Sequence, residues 1–237
     1  MNTIDLDKYK GVIFDLDGVI FDITEAIKKA IDDGIEKYKL EMNRDEVMQE
    51  IAHLIEEIQN FPVPEIILNS YDLLKIKPLE GLSYFKKLRV AIYLFTQFNK
   101  YKDADSTIFE GIDQLISELF RKKIKLAILT NNKSTYAEEV LTKFNLIKFF
   151  GTIIGFNDVS EVKPNPEGIE KIVKQWKLKP SEVIFIGDMT TDIDAGKAAK
   201  VKMVCVASGL AQKSVLLEHN PDIIVDNTTE LKNIFRL

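Results

Sequence analysis

Val12-Ile13-Phe14-Asp15-Leu16-Asp17-Gly18-Val19 is the stretch of sequence from which the fold can be inferred. Its first three residues form a short apolar run, which is typical of a parallel strand covered on both faces. Two aspartates separated by one residue follow, and Gly18 permits a tight turn after them. Aspartates are common in turns, but two like charges at the end of a buried strand are unfavourable unless a cation or a phosphate partner accompanies them. The stretch therefore predicts a buried strand that ends at a charged site.

Apolar runs rich in β-branched residues predict further strands of the same kind. Together with the first, the predicted strands are Val12–Asp15, Lys125–Thr130, Thr152–Gly155, Val183–Gly187, Met203–Val206 and Ile223–Val225. Helical periodicity separates most of them, over Gly111–Arg121, Ser134–Phe144, Asn165–Trp176 and Thr191–Ala199. Strands that alternate with helices predict an α/β fold built on a doubly wound parallel sheet.

The segment from about residue 22 to residue 103 breaks this alternation, because only helical periodicity is found there. The predicted helical stretches are Ile23–Tyr38, Val47–Ile58, Ile67–Leu74 and Leu82–Phe95. In the last of them, the apolar residues Leu82, Phe85, Leu88, Ile92 and Phe95 are expected on one face of the helix. Residues 1–21 and 104–237 are therefore predicted to form the sheet domain, and residues 22–103 an inserted helical bundle. The bundle could be a stability module, a dimer interface or a lid. A lid is favoured because ligands of open α/β sheets bind at the carboxyl ends of the strands, where the insertion begins.

Polar residues also follow three later predicted elements. Thr130 and Asn131 end the second strand, where they could cap a helix or donate hydrogen bonds to an oxyanion. Lys163 precedes a proline at a loop-to-helix junction, which favours a fixed charge. Asp188 ends the fourth strand, and Asp192 falls in the first turn of the next helix, where a negative charge is favourable in itself.

Strand and loop ends thus supply, in order, Asp-x-Asp, Thr, Lys and Gly-Asp-x-x-x-Asp. In the stretches FDLDGVIFD, ILTNN, VKPNPEGI and IFIGDMTTDIDAGKAAKV the chain resembles the haloacid dehalogenase-like hydrolase superfamily, in particular the branch of phosphoglycolate phosphatases and β-phosphoglucomutases. The resemblance implies a Rossmann-like core with a mobile cap. Thr130 follows Asp15 by 115 residues whereas Lys163 follows Thr130 by 33, so the insertion lies after the first motif, as in the first cap class.

The resemblance also implies catalytic roles. Asp15 would attack phosphorus and form an aspartyl-phosphate, and Asp17 would protonate the leaving alcohol and later deprotonate water. Thr130 and the backbone of Asn131 would bind the phosphoryl oxygens. Lys163 would offset negative charge on the phosphate and on Asp15.

A magnesium ion is implied as the cofactor. Asp15, the backbone carbonyl of Asp17 and Asp188 would hold it, since Mg²⁺ prefers oxygen ligands at few protein positions. Asp192 would orient metal-bound water or the lysine.

The expected function is a phosphatase acting on a small phosphorylated metabolite, such as phosphoglycolate or a sugar phosphate. A β-phosphoglucomutase-like phosphomutase shares every core residue and stays open. A dehalogenase is disfavoured because it needs neither magnesium nor a second aspartate. A phospho-accepting or protein-binding switch is the non-enzymatic alternative, although none of the expected core groups has been lost.

Composition limits the remaining possibilities. The 37 acidic and 32 basic residues give a net charge of −5, which argues against a nucleic-acid partner. The amino-terminal MNTIDLDKYKG lacks the apolar core of a secretory signal, and Val90–Phe95 is too short to cross a bilayer, so a soluble cytoplasmic protein is expected. Cys205 is expected to be a buried strand thiol, and no role is assigned to His53 or His219. A monomer and a homodimer both fit.

Overall fold

The fold is given by a computed structural model that describes residues 3–40, 43–44, 47–48, 82–105, 107–209 and 211–236. The chain divides into two units, of which the first comprises Met1–Asp22 and Ile108–Leu237 and the second Ile23–Thr107.

A parallel sheet of six strands forms the centre of the first unit. Its strands are β1 (Gly11–Phe14), β4 (Lys125–Leu129), β5 (Thr152–Ile154), β6 (Val183–Gly187), β7 (Lys202–Val206) and β8 (Ile223–Val225). Their order across the sheet is β5-β4-β1-β6-β7-β8, so β1 lies between β4 and β6. All residues of β1 and β6 are buried, as their unbroken apolar sequence requires. The predicted fold class is confirmed, and each strand matches its predicted range to within one residue at either end.

Helices connect the strands and cover the sheet. They are α3 (Ile112–Arg121), α4 (Ser134–Lys143), α5 (Glu167–Trp176), α6 (Thr190–Ala198), α7 (Lys213–Glu218) and α8 (Thr228–Ile234). On one face, Ile13 and Phe185 of the sheet pack with Ile172 of α5 and Ile193 of α6 in one buried apolar cluster. The buried thiol of Cys205 belongs to the same cluster, which confirms the prediction made for it.

Two short strands, β2 (Phe21–Asp22) and β3 (Thr107–Ile108), pair in a separate two-stranded sheet. They lie where the chain leaves the first unit and returns to it. They were not predicted from the sequence, because two residues are too few to show an alternating pattern.

In the second unit, the structure describes two long helices that pack against each other, α1 (Thr24–Tyr38) and α2 (Tyr84–Asp105). Their contact is close: a Cβ added at Gly34 of α1 would lie 2.5 Å from Leu94 of α2. The hydroxyl of Tyr101 donates to Asp33 at 2.6 Å and ties the two helices together. The predicted stretch Ile67–Leu74, most of the predicted Val47–Ile58 and the histidine at position 53 lie outside the described residues.

The predicted buried face of α2 is wrong. Phe85 and Ile92, which were assigned to it, are 74% and 51% exposed, whereas Val90 and Ala91 are buried. The physical reason is that apolar residues lie around most of the circumference of α2, so that periodicity alone did not distinguish two possible faces. The face with the small Ala91 allows the closer approach of another helix.

Among the helices described, none has both the length and the apolar character needed to span a membrane.

Replacing Phe185 tests the centre of the sheet. Phe185 is 0% exposed, so Phe185→Ala should lower the free energy of unfolding by about 3–5 kcal/mol through lost burial and a residual cavity. Phe120→Ala is the matched control because Phe120 is 48% exposed, and it should cost about 1 kcal/mol. Urea unfolding followed by circular dichroism measures both. Equal losses would contradict this assignment of the core.

Candidate active site

Three neighbouring strands, β4, β1 and β6, end at one edge of the sheet, and the residues that follow them meet there. The N–H of Asp15 donates to the carbonyl of Ile186 at 2.8 Å, so Asp15 continues the ladder between β1 and β6. Thr130 continues β4 in the same way, through a bond of 3.0 Å to the carbonyl of Ile154. Both side chains are therefore held on a rigid part of the fold.

The ammonium group of Lys163 lies at the centre of the site. It is 2.5 Å from Oδ1 of Asp15, 2.7 Å from Oδ1 of Asp192 and 3.2 Å from the carbonyl oxygen of Leu129. The lysine is only 5% exposed. Burial alone would lower the pKa of Lys163, but the two carboxylates outweigh it and raise that pKa above its usual value. Lys163 is thus a fixed positive charge.

The loop that carries Lys163 is held by side chains on either side of it. Asn131 donates from Nδ2 to the carbonyl of Lys163 and accepts from the N–H of Lys163, both at 3.2 Å. The carboxylate of Glu167 accepts from the N–H groups of Ser160 and Glu161, at distances of 2.9–3.1 Å. The predicted role of the Asn131 backbone stays a prediction, whereas its side chain is seen to hold the backbone of Lys163.

A group of buried carboxylates surrounds this lysine. Asp15, Asp188 and Asp192 each place one oxygen within 4.8 Å of the others. Burial is the main cause that raises the pKa of Asp15 to about 7; the contact with Lys163 opposes this rise without cancelling it. Burial, together with the charges of Asp15 and Asp192, raises the pKa of Asp188 well above its usual range. Asp15 and Asp188 are therefore unfavourable as anions in this cluster, where one lysine is the cation in contact with Asp15.

This arrangement fits a divalent cation. Oδ1 of Asp188 is buried and has no hydrogen-bond partner in the described part of the chain. A buried carboxylate oxygen without a donor is unfavourable, and it is the type of ligand that Mg²⁺ takes. Lys163 offsets one of three negative charges, so a divalent ion would offset the other two.

Asp17, beside this group, is half-buried. Its Oδ2 accepts from Nδ2 of Asn132 at 2.7 Å, and its Oδ1 accepts from the hydroxyl of Tyr136 at 3.0 Å. Neither donor had a role assigned to it from the sequence. Asn132 stands directly after the Thr130-Asn131 motif and Tyr136 in the first turn of the helix that follows, so their nearness to this motif was the signal available.

Asp192 makes contacts with both of its carboxylate oxygens. Its Oδ2 accepts from the N–H groups of Asp188 and Met189, at 3.1 and 3.0 Å, and so caps α6. Its Oδ1 pairs with Lys163. The Oγ1 of Thr130 accepts from the N–H of Asn132 at 3.1 Å, a bond within the turn after β4 that does not cap α4, because α4 begins at Ser134. A hydroxyl that accepts one bond can still donate its own proton.

The structure therefore brings the predicted site residues to one edge of the sheet, where Asp15, Lys163, Asp188 and Asp192 form one cluster. The family model of the haloacid dehalogenase-like hydrolases matches residues 12–206, which contain all of them. The chain belongs to this family. The prediction of the family from the sequence is thereby confirmed.

Relatives with assigned names agree with this membership. A phosphoglycolate phosphatase of Salmonella typhi is 25% identical over 234 residues, which cover 95% of this chain and 92% of the relative. The pyrophosphatase PpaX of Oceanobacillus iheyensis is 23% identical over 225 residues, covering 95% and 96%. The chain is thus a hydrolase with phosphatase relatives, as predicted.

Solved structures share the fold. A predicted phosphoglycolate phosphatase of Haemophilus somnus superposes with a TM-score of 0.73 at 20% identity, covering 96% of this chain and 98% of that one. A candidate β-phosphoglucomutase of Thermotoga maritima gives a TM-score of 0.67 at 22% identity, covering 95% and 97%. At these identities the likeness establishes the haloacid dehalogenase-like fold alone.

The raised pKa of Asp15 predicts how stability depends on pH without metal. The pKa of this carboxyl group rises on folding from 3.8 to about 7. Below pH 3.8 the group is mostly protonated in both the folded and the unfolded state and has little effect on stability. As the pH rises from 3.8 to about 7, the unfolded state loses the proton first, so the folded state becomes less stable. In excess EDTA, Asp15→Asn should therefore raise the melting temperature relative to wild type at pH 8, and raise it much less at pH 4.5, near the start of that window. Differential scanning fluorimetry measures the difference in melting temperature between the variant and wild type at each pH. Asp7→Asn, at an exposed site, is the control and should show no such trend. If the difference in melting temperature for Asp15→Asn stays constant or becomes smaller as the pH rises, the raised pKa of Asp15 is contradicted.

Proposed function

We propose that the chain is a Mg²⁺-dependent phosphatase that hydrolyses a small phosphorylated metabolite through an aspartyl-phosphate on Asp15. The observation that carries this proposal is the buried cluster of Asp15, Asp188 and Asp192 around a single lysine. Such a cluster suits a divalent ion together with a transferring phosphoryl group, because both are stabilised by fixed charges in a dry site. The names of the relatives, phosphoglycolate phosphatase and pyrophosphatase, support a reaction in which a phosphoryl group is transferred to water.

In the first step, a carboxylate oxygen of Asp15 attacks phosphorus while the bond from phosphorus to the substrate oxygen breaks. Lys163 occupies Oδ1 of Asp15, which favours Oδ2 as the attacking atom. The electron pair of the broken bond leaves with the alcohol oxygen, and Asp17 supplies its proton. In the second step, a water oxygen attacks phosphorus, the bond to Asp15 breaks, and Asp17 accepts the proton of the water.

Asp15, the backbone carbonyl of Asp17 and Asp188 would hold Mg²⁺, and Asp192 would orient a bound water or Lys163. When bound, the ion would supply positive charge against the phosphoryl oxygens. The Thr130 hydroxyl and the N–H of Asn131 would bind those oxygens from the end of β4.

Residues 22–103 are proposed to act as the cap that selects the substrate. Support comes from the position of this segment directly after the Asp-x-Asp motif, from helix α1 within it, and from helix α2, which begins within it and ends at Asp105. Phosphoglycolate and sugar phosphates are the proposed substrate class. The location in the cytoplasm stays a prediction.

A panel of phosphorylated metabolites, assayed for free phosphate with Mg²⁺, tests the function. Wild type should release phosphate, EDTA should stop release, and excess Mg²⁺ should restore it. Asp15→Asn should lower kcat by on the order of 10³-fold or more because it removes the nucleophile. Asp7→Asn is the matched control.

Each contrary result removes a separate part of the proposal. Turnover by Asp15→Asn near the wild-type rate would show that Asp15 is not the nucleophile. Activity unaffected by EDTA would show that the reaction needs no metal. Conversion of a sugar 1-phosphate into its isomer without free phosphate would identify a phosphomutase instead.

The contacts of Asp17 predict a defect that depends on the leaving group. Tyr136→Phe removes one of the two donors that orient the Asp17 carboxylate, so protonation of an alkoxide leaving group should slow by about 10-fold. Release of p-nitrophenolate needs no proton and should slow less than about 2-fold by the same reasoning. Single-turnover assays of leaving-group release with an alkyl phosphate and with p-nitrophenyl phosphate measure both. Tyr9→Phe, distant in sequence from this contact, is the control. If Tyr136→Phe slows leaving-group release equally for both substrates, Tyr136 has only a structural role.

A further inference from the structure

The loop after β7 lies against Asp188, although no sequence motif pointed to it. A Cβ placed on Gly209 of this loop would be 1.7 Å from Oδ2 of Asp188 and 2.7 Å from its Cγ. A Cβ placed on Gly18, in the loop after β1, would be 2.0 Å from the same oxygen. No real Cβ approaches an oxygen so closely. The Asp188 carboxylate is therefore enclosed by two stretches of backbone that must lack side chains.

Ser208 joins these two loops directly. Its hydroxyl donates to the carbonyl oxygen of Gly18 at 3.0 Å. Gly18 follows Asp17, whose backbone carbonyl is a proposed metal ligand. The loops after β1 and β7 thus enclose the carboxylate at the end of β6, and Ser208 and Gly209 lie beyond residue 206, where the family match ends.

We propose that Gly209 is a positioning residue for Asp188. Because hydrogen is its side chain, the loop can press against Oδ2, and this contact fixes the direction of the carboxylate. Oδ1, the oxygen without a hydrogen-bond partner among the described residues, is then the one offered to the cation. The steric part of this proposal stands on the coordinates alone, whereas its consequence for metal binding rests on the proposed function.

Gly209 is a better test position than Gly18. Gly18 has a φ of +85°, so that any side chain there strains the backbone as well as meeting Asp188. Gly209 lies outside this left-handed region, and its replacement changes only the space beside Asp188. Gly151 is the matched control, because a Cβ there would meet nothing within 4 Å.

A double-mutant cycle in excess EDTA tests the contact without metal or substrate. Gly209→Ala should lower the melting temperature by at least about 3 °C when Asp188 is present, and by less than about 1 °C in the Asp188→Ala background, where the clashing carboxylate is absent. Gly151→Ala should leave the melting temperature unchanged both with Asp188 present and in the Asp188→Ala background. A Gly209→Ala protein that folds only together with Asp188→Ala would support the proposal equally. The same shift in both backgrounds, including none in either, would overturn it.

Calorimetric titration with MgCl₂ tests the consequence. Gly209→Ala should bind Mg²⁺ at least about 10-fold more weakly than wild type and Gly151→Ala. Unchanged affinity would overturn the positioning of a metal ligand by Gly209. Absence of Mg²⁺ binding by the wild-type protein would instead contradict the proposed function, and the double-mutant cycle would still decide the steric contact.

Discussion

The burial of three carboxylates beside one lysine at the edge of a parallel sheet is the constraint on which the site depends. Charges removed from water are costly, and the raised pKa values of Asp15 and Asp188 express that cost. Such a cluster persists only if the surrounding fold is stable enough to hold it. The fully buried strands β1 and β6 provide that stability directly beneath the charged side chains.

Hydrogen bonds between loops hold the charged residues in their positions. Asn131 connects the loop after β4 to the backbone of Lys163, and Asp192 caps its own helix while pairing with that lysine. Several of these groups thus have a structural and an electrostatic role at once. Replacing one of them is expected to alter stability and charge together, so stability must be measured beside activity for any variant of this site.

The sequence was sufficient to predict the sheet because strands covered on both faces leave continuous apolar runs, such as Val183–Gly187. It also predicted which strand ends carry charge. It did not reveal the contacts of Asp17 with Tyr136 or of Asp188 with Gly209, because these join residues that lie far apart in the sequence and on different elements. The buried face of α2 was predicted wrongly for a related reason, since apolar residues surround most of that helix and only packing against α1 selects among them.

The central position of β1 has a consequence for how the protein forms during synthesis. Gly11 pairs with Lys125 on one side and with Val183 on the other, so the strand that precedes Asp15 gains its neighbours only after most of the chain has been made. Until then the burial that raises the pKa of Asp15 in the folded protein is incomplete. The chemical character of this residue therefore arises from long-range topology, and an amino-terminal fragment that ends before Val183 would carry the Asp-x-Asp motif without its reactivity.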